Sequence, residues 1–164
     1  HIDECLMHLD AARAHAARPA EIELALWFHD AIYDTHGSGN EQRSAEWAAR
    51  ELLSVDAPAD VVERVRALIL ATRHDAVPSA ADEQLLVDID LSILGAPRER
   101  FAEYESQVRR EYAWVPDVIF DLERGKILRA FLARPSIYAT PFFRDSLESR
   151  ARANLASHAA AESD

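Results

Sequence analysis

The chain has 164 residues, 49% apolar and 29% charged, which suits one globular domain with a core that needs no disulfide. Its formal net charge of −11 argues against a nucleic-acid polymer as a partner, because phosphate backbones bind basic surfaces. No stretch approaches the roughly 20 apolar residues of a membrane span, and Cys5 is the only cysteine, so we expect a cytoplasmic protein. Because the chain begins at His1 rather than Met, we expect that a segment upstream of it is missing.

Segments with apolar residues at helical spacing alternate with short stretches of Pro, Gly, Asn and Asp. Pro19 opens the second of these segments, and Asn40 is a good N-cap for the third. The predicted helices cover about residues 1–17, 19–33, 41–55, 59–72, 85–94, 101–112, 119–132 and 147–155. With no internal repeat and no linker, the sequence predicts a single all-α domain over residues 1–164, built of seven or eight helices.

Two polar residues, His29 and Asp30, interrupt the apolar run of residues 26–34 in the second predicted helix. We expect both in the core, where an ionised Asp beside an imidazole costs several kcal/mol unless something compensates. A divalent cation would compensate, because carboxylate oxygen and neutral imidazole nitrogen are ordinary metal ligands. A direct hydrogen bond between the two side chains is the alternative. Helix neighbours diverge by about 100°, so further ligands must come from distant parts of the chain.

Two more carboxylates, Asp88 and Asp90, lie in a predicted helix that is apolar on nearly every side. A helix of this kind is buried, so its acids need a charged or polar partner. The two side chains point about 200° apart around the helix and are not expected to share one site. The residues alone leave open which of them binds a metal and whether either is paired with an arginine.

The order of His1, then His29-Asp30, then Asp90 resembles the HD superfamily of metal-dependent phosphohydrolases. The chain is most similar to a bacterial subgroup of predicted HD phosphohydrolases, in four blocks: WFHDAIYD at 27–34, NEQRSA at 40–45, DIDLSILG at 88–95 and IYAT at 137–140. This resemblance implies a helical HD-domain-like fold and a divalent metal held by His1, His29, Asp30 and Asp90. Asp88 is either the alternative metal ligand or a residue that forms a hydrogen bond to one of the ligands.

The same resemblance implies hydrolysis of a nucleotide or another small phosphate ester. A site with two histidine and two aspartate ligands can bind Mn, Mg, Co, Ni, Fe or Zn, so the ligands do not identify the metal. The rival interpretation is a non-catalytic HD-like module that binds a ligand or regulates, with a structural metal or none. A third is an HD-type oxygenase with two irons, for which His74 is the obvious extra ligand. The sequence is compatible with a homo-oligomer.

Four further residues are candidates for the chemistry. Asp34 follows Asp30 by four residues, hence on the same helix face, where it could orient water or accept its proton. Guanosine-tetraphosphate hydrolases of the superfamily carry Glu-Asp here, and Tyr33 replaces that Glu, so this activity is not implied. His74 is a candidate for proton transfer, metal ligation or phosphate contact. Glu41 and Arg43 are candidate substrate-binding residues, because an Arg there could clamp a phosphate. Ordinary surface positions are the alternative for all four.

Overall fold

The computed structural model describes residues 1–76 and 78–161, and all regular structure in these ranges is helical. The predicted all-α class with seven or eight helices is confirmed. The α-helices are α1 Ile2–Ala12, α2 Pro19–Phe28, α3 Asn40–Ser54, α4 Ala59–Ala71, α5 Ala81–Asp90, α6 Arg98–Glu111, α7 Asp117–Leu132 and α8 Pro141–Ala161. Two short 3₁₀ segments, Arg13–His15 and Leu91–Gly95, follow α1 and α5. No helix in the described part of the chain combines the length and hydropathy needed to cross a bilayer.

The chain forms two compact units. The first, His1–Asp90, contains α1 to α5, and the second begins at Leu91 and contains α6 to α8. That the whole chain forms one HD-like domain stays a prediction.

The core of the first unit is built from the apolar stripes of its helices. Helix α4 packs against α2, α3 and α5, and α1 packs against α2 and α5. Burying each large aliphatic side chain contributes about 1.5–3 kcal/mol, so these stripes fix the helices against one another. The fully buried aliphatic residues include Leu9, Ile22, Leu26, Val65, Ile69, Leu85, Leu86 and Ile89. This packing holds the start of α1 and the ends of α2 and α5 in fixed positions.

Helix α2 is shorter than predicted, because it ends at Phe28 and leaves Asp30 in the following turn. Nδ1 of His29 lies 2.7 Å from the carbonyl oxygen of Leu26. If the helix continued, this carbonyl would instead accept a hydrogen bond from the backbone amide of residue 30. A side chain that competes for a helix carbonyl in this way favours termination. Asp30 is consequently 44% exposed, and the prediction that it lies in the core is wrong.

The segment predicted as one helix over residues 85–94 consists of two elements. Helix α5 ends at Asp90, and the 3₁₀ segment follows it directly. Within the second unit, the hydroxyl of Tyr138 donates to the carbonyl of Leu91 at 3.1 Å. The amide of Asn154 donates to the carbonyl of Leu94 at 2.8 Å. A Cβ at Gly95 would lie 2.7 Å from the Cβ of Leu147, so this close approach requires glycine. These contacts hold the 3₁₀ segment to α8 and to the loop before it.

Candidate metal centre

Four residues from separate parts of the first unit meet at one place. His1 immediately precedes α1, His29 follows the last residue of α2, His74 lies just beyond α4, and Asp90 ends α5. One ligand atom each of His1, His29 and Asp90 lies within 4.8 Å of the others, which is a spacing that one metal ion can bridge. The structure therefore brings together residues that are up to 89 positions apart in the sequence.

The orientation of His29 decides which of its nitrogens faces the cluster. Its side chain is only 2% exposed, and Nδ1 lies 2.7 Å from the Leu26 carbonyl oxygen. Since a carbonyl only accepts, Nδ1 carries the proton, and the lone pair of a neutral ring is on Nε2. Fixing the tautomer of a histidine through its other nitrogen is the arrangement seen around metal-binding histidines.

Nε2 of His29 faces two carboxylates, at 3.2 Å from Oδ2 of Asp30 and 3.5 Å from Oδ1 of Asp90. Neither contact has the geometry of a hydrogen bond, so this buried nitrogen has no hydrogen-bond partner among the described residues. Burial lowers the pKa of His29, but the two carboxylates raise it to about 11. The two carboxylates thus stabilise a positive charge at Nε2, which a proton or a divalent cation can supply.

Asp90 is the centre of the cluster. Its Oδ1 lies 2.9 Å from Nε2 of His1, and its Oδ2 lies 2.9 Å from Nε2 of His74. Burial raises the pKa of Asp90, but the imidazoles of His1, His29 and His74 lower it well below its ordinary value. Asp90 is therefore an ionised carboxylate. Asp88, the alternative ligand, is fully buried in α5, and it is Asp90 that contacts the imidazoles.

His1 contacts the cluster through Asp90, and 28% of its side chain is exposed. Its ring also lies 3.7 Å from Sγ of Cys5 and meets the ring of His29 edge-on, with 5.6 Å between centroids. Burial lowers the pKa of His1, but Asp90 and Cys5 raise it to about 10. Residue 1 is thus held by contacts on three sides.

His74 reaches Asp90 from a strained turn. Its backbone φ of 56° lies in the left-handed region, which costs a non-glycine residue roughly 1–3 kcal/mol and is often tolerated at functional sites. The turn follows the last residue of α4 and directs Nε2 toward Oδ2 of Asp90.

The turn that carries Asp30 is fixed by a residue that the sequence analysis missed. Ser44, in α3 and fully buried, accepts the amide hydrogen of Ile32 at 3.0 Å. The only signal in the sequence is that Ser44 belongs to the NEQRSA block. A buried serine that bonds the backbone two residues beyond Asp30 restricts where the Asp30 carboxylate can lie.

The remaining predicted residues lie around a separate turn. Because α2 ends at Phe28, the premise that Asp34 lies one helical turn beyond Asp30 is wrong. Oδ1 of Asp34 accepts the amide hydrogen of His36 at 3.0 Å, and Oδ2 lies 3.8 Å from Arg43. Asn40, predicted as an N-cap, is instead the first residue of α3, after Gly39 at φ 70°.

Arg43 and Glu41 both lie at the start of α3. Among the residues that the structure describes, no hydrogen bond or ion pair joins Asp34, Glu41 or Arg43 to the cluster around Asp90. Arg43 donates to the side-chain oxygen of Asn40, and a Cβ at Gly37 would lie 2.6 Å from Oδ2 of Asp34. These residues thus hold the turn between α2 and α3.

The chain matches no protein-family model, no curated protein and no solved structure. The geometry of the cluster and the sequence motifs are therefore the basis for inferring its function.

The donor set fits a divalent cation. Two imidazole nitrogens and the Asp90 carboxylate converge, and the Asp30 carboxylate lies beside them. Mixed nitrogen and oxygen ligation of this kind suits divalent metals of the first transition row. The buried Nε2 of His29 is the atom for which an ion would be the missing partner.

Proposed function

We propose that the chain is a metal-dependent phosphohydrolase of the HD type, acting on a nucleotide or another small phosphate ester. The observation that carries the proposal is the buried Nε2 of His29, aimed at the carboxylates of Asp30 and Asp90 without a hydrogen-bond partner in the described residues. The order of the four sequence blocks supports the HD type. The ligands proposed are His1, His29, Asp30 and Asp90.

A divalent ion held there, whether Mn, Mg, Co, Ni, Fe or Zn, would lower the pKa of water toward neutrality and polarise a phosphoryl oxygen. The protein's own part is to present the ligands in fixed orientations. The Leu26 carbonyl fixes the tautomer of His29, and Ser44 fixes the turn of Asp30. Asp90 stays ionised and orients His1 and His74.

Proton transfer is assigned to His74 in preference to Asp34. His74 contacts Asp90 directly through Nε2, and part of its side chain is exposed. A histidine beside a carboxylate can donate a proton to a leaving-group oxygen. Asp34 is instead held in its own turn by backbone contacts.

Arg43 is the proposed phosphate-binding residue, with Glu41 beside it in the first turn of α3. The Arg43 side chain is partly exposed, and a guanidinium binds phosphate oxygens through paired hydrogen bonds. The next residue, Ser44, bonds to the turn of Asp30, which ties the start of α3 to the cluster. The proposed partner is thus a small phosphorylated molecule, and the lone Cys5 favours a cytoplasmic location.

The experiment that tests this function is a turnover screen on metal-loaded protein. Protein supplied with Mn²⁺ is incubated with nucleoside phosphates, sugar phosphates and p-nitrophenyl phosphate, and released phosphate is measured. We expect turnover by the wild type and by Asp10→Asn, a control at an exposed position of α1, and none by Asp90→Asn.

Other outcomes identify the rival functions. Stoichiometric metal with no turnover on any ester would replace the enzyme with a non-catalytic binding or regulatory module. Bound iron with oxygen uptake would indicate the HD-type oxygenase. Turnover that persists in Asp90→Asn after chelation would contradict the proposed role of the cluster.

A further inference from the structure

Cys5 is the only cysteine of the chain, and neither the proposed chemistry nor the proposed ligand set uses it. Its side chain is fully buried, and Sγ lies 4.0 Å from the carbonyl oxygen of Ile89 in α5. Ile89 immediately precedes Asp90, which is the centre of the cluster. Cys5 therefore lies beside the backbone that carries one of the proposed ligands.

The sulfur of Cys5 also contacts the ring of His1, another proposed ligand. The amide of Cys5 donates to the carbonyl of His1 at 3.0 Å, so the two residues are one helical turn apart and lie on the same side of the helix. Sγ lies 3.7 Å from Nε2 and 3.8 Å from Nδ1 of the ring. Because these distances are nearly equal, the sulfur meets the ring midway between its two nitrogens. The contact therefore restricts the orientation of the whole ring.

The His1 ring has more need of such a restraint than the His29 ring. His1 immediately precedes the first residue of α1, and helix ends fray. Its side chain is 28% exposed, whereas the side chain of His29 is 2% exposed and bonded to the Leu26 carbonyl. Residues that orient a metal-binding imidazole commonly raise the affinity for the metal. The buried sulfur of Cys5 can supply this orientation for His1.

An ion at this place is indicated independently of Cys5. The buried Nε2 of His29 has no hydrogen-bond partner in the described part of the chain, and it faces the carboxylate of Asp90 at 3.5 Å. Among the described residues, the ligand atoms that converge within 4.8 Å belong to His1, His29 and Asp90, and Sγ of Cys5 is not one of them. The sulfur therefore lies beside the proposed ligand set rather than in it.

We propose that Cys5 is a positioning residue for the metal centre, whose sulfur holds the His1 ring in the orientation that presents Nε2 to the ion. This role rests on the metal centre of the proposed function. Sulfur is polarisable and makes favourable contacts with aromatic rings, so it suits a position against an imidazole. Alanine in its place would leave a gap beside the ring, and the ring could then turn away from the ion.

Titration of the chelator-treated full chain with Co²⁺ tests this role. Cys5→Ala should bind Co²⁺ about tenfold more weakly than the wild type, because the His1 ring is no longer held in one orientation. Leu9→Val is the matched control. Leu9 is buried one turn beyond Cys5 in α1, and its replacement also removes one small buried group, about two turns away from His1. This control should keep the wild-type affinity.

A double-mutant cycle separates an effect through His1 from a general loss of packing. In a His1→Gln background, Cys5→Ala should cause little further loss of Co²⁺ affinity, since the ring that Cys5 orients is absent. In a Ser44→Ala background, where the change acts on the turn of Asp30, Cys5→Ala should cause its full loss. Circular dichroism establishes that each variant is folded. Equal losses in the wild-type and His1→Gln backgrounds would overturn the proposal.

The absorption spectrum of the Co²⁺-loaded protein shows whether the sulfur itself binds the ion. We expect no thiolate-to-cobalt charge-transfer band in the wild type, and such a band would make Cys5 a ligand and overturn the positioning role. Equal Co²⁺ affinities of the wild type and Cys5→Ala would overturn this role alone. A wild type that binds no Co²⁺ would overturn the metal centre together with it.

Discussion

The His29 ring and the Leu26 carbonyl, joined by a 2.7 Å hydrogen bond, connect the end of a helix to the geometry of the candidate metal centre. The bond occupies the carbonyl that would have continued α2, and it fixes the proton on Nδ1. Nε2 is then the nitrogen that faces Asp30 and Asp90. One local interaction thus places Asp30 in a turn and directs Nε2 of His29 to a buried position beside two carboxylates.

The assignment of Asp90 as the distal ligand predicts unequal effects of two substitutions in α5. Asp90→Asn should remove most of the bound metal, because Asp90 contacts the imidazoles of His1 and His74. Asp88→Asn should retain metal wherever the protein stays folded. Metal content by mass spectrometry, with folding followed by circular dichroism, distinguishes them. Greater metal loss in folded Asp88→Asn would reverse the assignment.

Substitutions of the two candidates for proton transfer, His74 and Asp34, should have different effects on kcat. His74→Gln should lower kcat by about 10²–10⁴-fold if His74 is the general acid, while metal stays bound. Asp34→Asn should change kcat little, because Asp34 is held by its own turn. Rates on the best ester of the screen, measured at full metal loading, decide the matter. A large loss of kcat in Asp34→Asn with normal rates in His74→Gln would return the role to Asp34.

Ser44 is expected to act as a positioning residue for Asp30. Ser44→Ala removes the acceptor for the Ile32 amide, which should lower stability by about 1 kcal/mol and weaken metal affinity about tenfold. Thr at position 44 keeps the hydroxyl and should restore most of the affinity. The control is Ser54→Ala, since the Ser54 hydroxyl donates to the Glu51 carbonyl at the exposed end of α3. Metal affinity equal in Ser44→Ala and wild type would limit Ser44 to a structural role.

The stability of metal-free protein should fall as pH rises. The folded pKa of His29 is about 11, above its ordinary value of 6.5, so the folded state binds this proton more tightly than the unfolded state. Its contribution is fully present below about pH 6.5 and is lost as pH rises toward 11. Urea unfolding of chelator-treated protein, at about pH 6 and about pH 9, measures the loss. The decrease in the free energy of unfolding between the two pH values should be smaller in His29→Gln. An unchanged decrease would assign the pH dependence to other groups.

Hydrophobic spacing was sufficient to predict the all-α class, because most of the helices bury apolar residues on one face. It could not predict the end of α2, which depends on a side-chain bond from His29 to Leu26 rather than on a breaker residue. Helical geometry predicted that Asp88 and Asp90 point apart, but it could not indicate which of them faces the histidines. That choice depends on how α5 packs against α1 and α4.

Some long-range features had only weak signals in the sequence. His74 was a candidate, yet its contact with Asp90 requires a left-handed backbone that a polar loop does not reveal. Ser44 gave no signal beyond its place in the NEQRSA block. The cluster could be predicted as a set of residues, whereas its orientation depends on contacts between segments far apart in the chain.

Elemental analysis of protein purified without chelator tests the central claim most directly. We predict about one divalent ion per chain in the wild type and a large loss in Asp30→Ala, because the Asp30 carboxylate faces Nε2 of His29. Asp34→Ala, which removes an acid from the neighbouring turn, should keep the wild-type content. Equal metal content in the wild type and in folded Asp30→Ala would contradict the metal centre described here.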